Sequence, residues 1–396
     1  MARTLAAALT VIILSCALAF TSPARAQTGT TTQDAPAQAP SPAPAREYRF
    51  ATTHKVATME RELNELAAKG YRLERVAKTL NAGDMAALVS REAAAPAPSS
   101  ATTTAPAGPR FEYKVLATRR AGTMDKEIAE AAAEGFEIRG LTSMFRPGIG
   151  VFIGDETAVV LERPAGETAR RFDYKLLSTR REKTMQKELD EALDAGFEPV
   201  EMVRGQDNGA ASIILGPQYV HTVILGRRAG VTSAAGAPRE YKFLNTAKVG
   251  TMQREMNRAV AEGYRFHLGA PDMLVLMSRE RGAKGPAPFM YKLLATRRTG
   301  TLQKELLQEG ALGFKYLATS NGLGGMAVIL ERDVRVDLKQ EATREYKLLA
   351  TSREETTQKE ISEAVSEGFR VLDLTTLGEF LLILDRQAGN ASAGVK

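Results

Sequence analysis

The stretch YKLLSTRREKTMQKELDEALDAGF, Tyr174–Phe197, decides the fold, because its pattern recurs six times without a gap. Tyr48, Tyr113, Tyr174, Tyr241, Tyr291 and Tyr346 each open a copy. Counting from that Tyr as zero, position +1 is basic in all six, +10 is Thr and +14 is Glu. Position +22 is Gly (Gly70, Gly135, Gly196, Gly263, Gly313, Gly368) and +23 is Tyr or Phe. Such self-similarity marks a repeat architecture.

Elementary chemistry turns the pattern into elements. Residues 174–179 alternate between two faces, one strongly apolar, as a strand does. The Thr at +10 reads as a helix N-cap. The Gly at +22 reads as a left-handed stop, with the ring at +23 folding back as in a Schellman motif. The helix between is expected over +11 to +20, about 15 Å long. Its apolar stripe is +11, +15 and +18/+19, as in Met185, Leu189, Ala192 and Leu193. In the fifth copy Glu309 and Gly310 interrupt the stripe. A helical glycine costs about 1 kcal/mol against alanine, so that helix is expected to be held least firmly. Two strands follow each helix. The last is the most apolar (Ala327–Leu330, Leu381–Leu384) and usually ends in an acid or Ser followed by Arg.

The fold class expected is therefore α+β: six tandem βαββ units, each a small, mainly antiparallel three-stranded sheet with one covering helix. The boundaries read as repeat 1 at 46–92, repeat 2 at 110–164, repeat 3 at 170–228, repeat 4 at 238–281, repeat 5 at 288–333 and repeat 6 at 343–387. Units this small bury too little surface alone. No mature cysteine is expected to help, so the uncovered sheet face or edge strands should pack on a neighbouring copy. The segments 27–45 and 93–109 are rich in Pro, Ala and Thr and read as extended linkers, and 388–396 reads as a flexible tail. The long linker at 93–109 suggests beads on a string, with the first repeat the most mobile.

Residues 1–26 read as a secretory signal: Arg3, an apolar run from Leu5 to Phe20, and the A-x-A site Ala24-Arg25-Ala26. The expected location is periplasmic or secreted, with no transmembrane segment after cleavage. The one cysteine, Cys16, lies inside the signal, which leaves lipid anchoring through Cys16 as the alternative. Formal net charge is +6, and losing Arg3 and Arg25 leaves +4. That permits an anionic partner without demanding one.

The Tyr-Lys-x-Leu … Glu-Leu … Gly-Phe pattern resembles a small bacterial βαββ domain family of unknown function, in which Trp often stands at the ring position. The resemblance covers nearly all of 46–387. It implies a fold and a bacterial origin, and it carries no catalytic residues to transfer.

Candidate chemistry is sparse. The six +14 glutamates read as charges in the first helical turns, available to the +1 Lys or the last-strand Arg. His54, His221 and His267 fall at unrelated places in three copies, unlike a metal site. Gly322-Leu323-Gly324-Gly325 joins two strands and reads as a hairpin loop, since it opens no helix for phosphate. Basic residues at +1, +7 and +13 could line an anionic polymer, although acids at +14 and +21, such as Glu134 and Glu367, offset them. Two copies break the symmetry with long connections, 144–157 and 204–219. Their apolar residues Ile149, Val151, Phe152, Ile153, Ile213, Ile214 and Leu215 are the candidate partner contacts, whose tips lie together if neighbouring copies pack.

These features point to a non-enzymatic exported repeat protein acting as a binding or structural scaffold in the bacterial envelope. Its partner would be a protein or an envelope polymer rather than nucleic acid. No catalytic, cofactor or metal residues are expected. The alternatives are a binder of anionic envelope polymers through repeated basic faces, and a hydrolase with a site between repeats. The last needs polar residues unique to one inter-repeat cleft.

Overall fold

A computed structural model describes residues 46–388, apart from 80–83, 94–109, 147–152, 209–217, 232–238, 247, 271–272, 323–324, 338–342 and 377–378. The signal, Cys16, the linkers at 27–45 and 94–109, and the tail from 389 lie outside the described residues.

Each copy is strand, helix, strand, strand. The first strands are β1 (Arg46–Thr53), β4 (Phe111–Thr118), β7 (Phe172–Thr179), β10 (Arg239–Asn245), β13 (Phe289–Thr296) and β16 (Arg344–Thr351). The helices are α1 (Val56–Ala68), α2 (Ala121–Ala133), α3 (Glu182–Asp194), α4 (Val249–Ala261), α5 (Thr299–Ala311) and α6 (Glu354–Ser366). The second strands are β2 (Arg72–Lys78), β5 (Glu137–Arg146), β8 (Glu198–Asn208), β11 (Arg265–Ala270), β14 (Lys315–Gly322) and β17 (Arg370–Thr376). The third strands are β3 (Met85–Glu92), β6 (Ile153–Pro164), β9 (Gln218–Arg228), β12 (Leu274–Glu280), β15 (Gly325–Asp333) and β18 (Phe380–Gln387). The third strand always lies in the middle, antiparallel to both others, as in β1-β3-β2. The expected six α+β units are the observed ones.

The helices begin three residues earlier than expected, at +8. The cap position is the basic residue at +7 (Lys55, Arg120, Arg181, Lys248, Arg298, Arg353), which makes no side-chain cap bond. The Thr at +10 is thus an internal residue and not the N-cap. The turn is set instead by the Thr at +5. Its hydroxyl accepts from the +7 backbone N–H in every copy, as in Lys55 N to Thr53 Oγ1 at 3.2 Å and Arg298 N to Thr296 Oγ1 at 3.1 Å. The earlier start makes each helix 13 residues, about 20 Å. It also moves the +14 Glu into the second turn, beyond the reach of the terminal dipole.

The helix stop is as expected. All six +22 glycines have φ between 79° and 92°. The +23 amide closes the Schellman bond to the carbonyl five residues back, as in Tyr71 N to Leu66 O at 3.1 Å and Phe136 N to Ala131 O at 3.1 Å. The last-strand Arg completes the device. In all six copies it donates to the +21 carbonyl and lies over the +23 ring, as Arg163 does on Glu134 O (2.8 Å) and Phe136 (4.4 Å). In five it also pairs with an acid just before the Tyr, as Arg91 does with Glu47 at 2.7 Å. The +1 Lys does not seek the +14 Glu. It pairs with the +21 acid in Lys114–Glu134, Lys242–Glu262 and Lys347–Glu367.

Burial explains why the third strand reads as an unbroken apolar run. Its two faces meet two different helices. In β6, Val159 and Leu161 pack on α2, while Ala158 and Val160 pack on α1 of the preceding unit. The rule holds throughout. Helix α3 packs against Leu274 and Leu276 of β12, α4 against Ala327 and Ile329 of β15, and α5 against Leu381 and Ile383 of β18. Finally, Ile361 and Ala364 of α6 pack against Tyr48, Phe50, Ala86 and Leu88 of the first unit. Sheets and helices therefore alternate around a closed ring of six blades. Phe50 and Phe380 meet edge to face across the closure, 4.7 Å apart.

The closure corrects two expectations. The units are not independent beads, and the first is no loose appendage, since it is wedged between blades 2 and 6. Gly310 is likewise no defect. A Cβ there would fall 2.4 Å from Arg344 O and 2.9 Å from the Tyr346 ring, so glycine lets blade 6 approach α5. The neighbouring Glu309, buried, is paired with Lys292.

Two polar contacts fasten each blade to the next. The +12 side chain of every helix accepts from the +2 amide of the next blade's first strand, an edge that would otherwise be open. Examples are Val115 N to Glu60 Oε2 at 2.8 Å, Leu293 N to Gln253 Oε1 at 2.9 Å and, at the closure, Phe50 N to Gln358 Oε1 at 3.2 Å. The opening Tyr then reaches back. Its hydroxyl accepts from the +25 amide of the preceding blade in five junctions, as in Leu73 N to Tyr113 Oη at 2.8 Å. The exception has a plain cause. The +25 residue of blade 3 is Pro199, which has no N–H, so the Tyr241 hydroxyl receives no such bond from blade 3.

Among the described residues no helix is long and apolar enough to cross a membrane.

Candidate ligand channel

The second strands line the axis of the ring. Each contacts the second strand of the next blade, in the closed order β2, β5, β8, β11, β14, β17 and back to β2. Every one carries a register shift at the same place, between +25 and +27. A bulge bends a strand and re-aims its side chains. Here it brings the +27 residue of every blade, and the +26 residue of four, to a central cavity of about 590 Å³ that all six second strands line, while Val200 and Leu372 pack into the cores.

Those two positions differ from copy to copy. They read Glu74-Arg75, Arg139-Gly140, Val200-Glu201, His267-Leu268, Leu317-Ala318 and Leu372-Asp373. No two blades present the same pair.

The polar groups are partly engaged. Asp373 receives the Tyr316 hydroxyl, the Thr319 hydroxyl at 2.7 Å and the Leu374 amide at 2.9 Å, and Arg75 Nε lies 3.5 Å away. Glu74 accepts from Arg46 at 2.7 Å and from Ser90 at 2.6 Å. Lys78 pairs with Asp155 at 2.7 Å. Arg139 lies 3.8 Å from Glu162, a carboxylate already held by Arg72 (2.7 Å) and the Tyr113 hydroxyl (2.7 Å). The Arg75 and Arg139 side chains keep 54% and 38% of their surface open. Burial pushes the Glu201 carboxyl up to about 7, against the opposing pull of Arg75 and Arg139. Burial also pushes the Tyr316 hydroxyl well up, with Asp373 beside it adding to the effect.

The three histidines do not meet. His54 is exposed, 3.9 Å from Asp84. His267 lines the channel, with Nε2 3.2 Å from Pro199 O, and is held below its usual range by burial. His221 is buried in β9 beside Asn245 (3.1 Å), and its Nδ1 has no partner. Burial, then Arg204, depresses it to about 4. Between pH 6.5 and 4 the unfolded chain takes up a proton that the folded ring refuses, so stability falls as pH drops. From pH 7 to pH 5 this linkage is expected to remove about 2 kcal/mol. Urea titrations of wild type and His221→Gln at the two pH values check it: the loss should shrink in the variant, and an equal loss in both would exclude His221 as its source.

Of the candidate partner contacts, Ile149, Val151, Phe152, Ile213, Ile214 and Leu215 lie outside the described residues. So does the centre of the Gly322–Gly325 loop, residues 323–324. Ile153 begins β6. There Ile153 and Gly154 pair with Asn208 and Asp207 of β8, joining blades 2 and 3 into one six-stranded sheet. Sequence reasoning missed the channel residues. Nothing in the sequence set +26 and +27 apart, since other positions such as +16 (Asn64, Ala129, Asp190, Asn257, Leu307, Ser362) vary as widely.

A scan against protein-family models finds no match to this chain, and no curated protein matches it.

Proposed function

We propose that this chain is an exported, non-catalytic binding ring that takes a small polar ligand in its central channel. One observation carries the reading: all six second strands converge on one cavity, and the side chains they present there differ from blade to blade. A volume of about 590 Å³ suits a small molecule. The A-x-A signal supports export, to the periplasm or beyond. The joined bases of the long hairpins in blades 2 and 3 offer a second surface, toward a protein or envelope polymer. Polymer binding through basic faces draws less support, because the +1 lysines of blades 2, 4 and 6 are already paired with acids.

A hydrolytic channel is the second reading. Glu201, with its carboxyl near 7, has the proton affinity that a general acid or base needs.

Thermal-shift titration of the chain from residue 27 with small acids, amines and sugars tests the proposal. At least one class should raise the midpoint, and Leu268→Trp, which fills the channel, should abolish the effect while the ring still melts cooperatively. No response, or one that survives the filled channel, would exclude channel binding. Turnover lost in Glu201→Gln without unfolding would favour the hydrolytic reading.

A further inference from the structure

We infer that the channel ligand is a small organic acid, its carboxylate held by Arg75 and Arg139 and its hydrocarbon body lying against Val76, Leu141 and Leu268. The inference rests on the channel reading and adds the ligand's chemistry to it.

The argument is a balance of charge inside one cavity. Of the anions lining it, Glu74 is satisfied by Arg46 and Ser90, and Asp155 by Lys78. Asp373 is occupied by two hydroxyls, a backbone amide and Arg75. A cationic ligand would have to displace these partners. The cations are less well met. Arg75 shares one carboxylate with two hydroxyl donors and otherwise donates one Nη1–H to the adjacent Glu74 carbonyl at 2.9 Å, and Arg139 has only a distant share of Glu162, whose oxygens Arg72 and Tyr113 already hold. Both guanidinium groups come from neighbouring blades and stay open to the channel. A planar fork that is always charged matches a carboxylate in two parallel hydrogen bonds.

Glu201 is the remaining group. Arg75 on β2 and Arg139 on β5 act on it, and the adjacent β11 contributes His267 to the same cavity. Opposite it in the ladder stands Ile224. An incoming carboxylate meets this side chain with least repulsion when it is protonated. Binding should therefore be coupled to a proton held on Glu201. Apolar lining completes the match, since Val76, Leu141 and Leu268 also face the cavity.

Calorimetric titration of the chain from residue 27 with butyrate and benzoate tests this, with butyramide, benzamide, butylamine and inorganic phosphate as comparison probes. The acids should bind and their amides should not. Arg139→Gln should weaken the acids about 10- to 100-fold. Wild-type affinity should fall toward tenfold per pH unit above pH 7, and Glu201→Gln, which keeps the size and removes the titration, should flatten that slope. Arg75→Lys guards against a folding artefact, since it keeps the charge beside Asp373 and loses the fork. Amides or butylamine binding as well as the acids, with Leu268→Trp blocking them, would overturn the acid and leave the channel standing. Phosphate binding as tightly as benzoate would overturn the role of the hydrocarbon body. Binding of no probe would overturn the inference, and acid binding that ignores both Arg139→Gln and Leu268→Trp would overturn the channel reading with it.

Discussion

A chain ending at Asp337, with blade 6 removed, is expected to lose its cooperative melting transition and to aggregate. The deletion strips the outer face from α5 and the α6 cover from the first sheet. Leu302 and Leu306 on one side, and Tyr48, Phe50 and Leu88 on the other, are all buried and all lose partners. At about 2 kcal/mol for each large side chain returned to water, the loss is on the order of 10 kcal/mol. A domain's whole stability is about 5–15 kcal/mol. An open array behaves differently, because removing a terminal repeat costs only one interface. Circular dichroism melts and size exclusion distinguish the two. Five remaining blades that melt cooperatively as a monomer, near the full-length midpoint, would contradict the closed ring.

Leu189→Ala should destabilise the protein by about 3 kcal/mol, in the range for large-to-small changes in a core that cannot collapse. Leu189 is fully buried in α3, between Val223 and Leu225 of its own sheet and Leu274 and Leu276 of the next. Two sheets hold the cavity open from opposite sides. The whole transition is expected to shift, since each helix is the shared core of two blades. Denaturant unfolding followed by circular dichroism measures it. A loss below about 1 kcal/mol would mean that the site relaxes. A separate early transition would mean that blades 3 and 4 unfold apart from the ring.

Much of the blade was legible in the sequence, for a physical reason. Gly196 and Phe197 state a helix stop that has one conformation, and Met185, Leu189 and Ala192 state which helix face is buried. The Thr at +10 misled because a Thr before an apolar run resembles a cap, whereas the turn depends on the Thr two residues before the cap position, at +5. Ring closure was not legible. Tyr48 and Gln358 lie at opposite ends of the chain, and the bond between Gln358 Nε2 and Tyr48 O (2.7 Å) has no local signature. The same limit hid the site. Arg75, Arg139, Glu201 and Asp373 are scattered charges in four copies until the bulges of a closed ring bring them to one axis. The unbroken apolar runs of the third strands were the best available hint, since a strand buried on both faces requires a second helix from elsewhere.

Cross-linking across the closure tests the central claim most directly. Thr52 Oγ1 donates to Glu354 Oε2 at 2.9 Å, joining the first strand to the last helix. The only cysteine of the chain is Cys16, so residues 27–396 provide a background without cysteine. With cysteines in place of Thr52 and Glu354, a short bifunctional thiol reagent at high dilution should give one intramolecular link in the monomer, located by peptide mass spectrometry. A closed ring predicts that link in high yield and its loss in urea. Links only between molecules, or none while the protein remains folded, would contradict it.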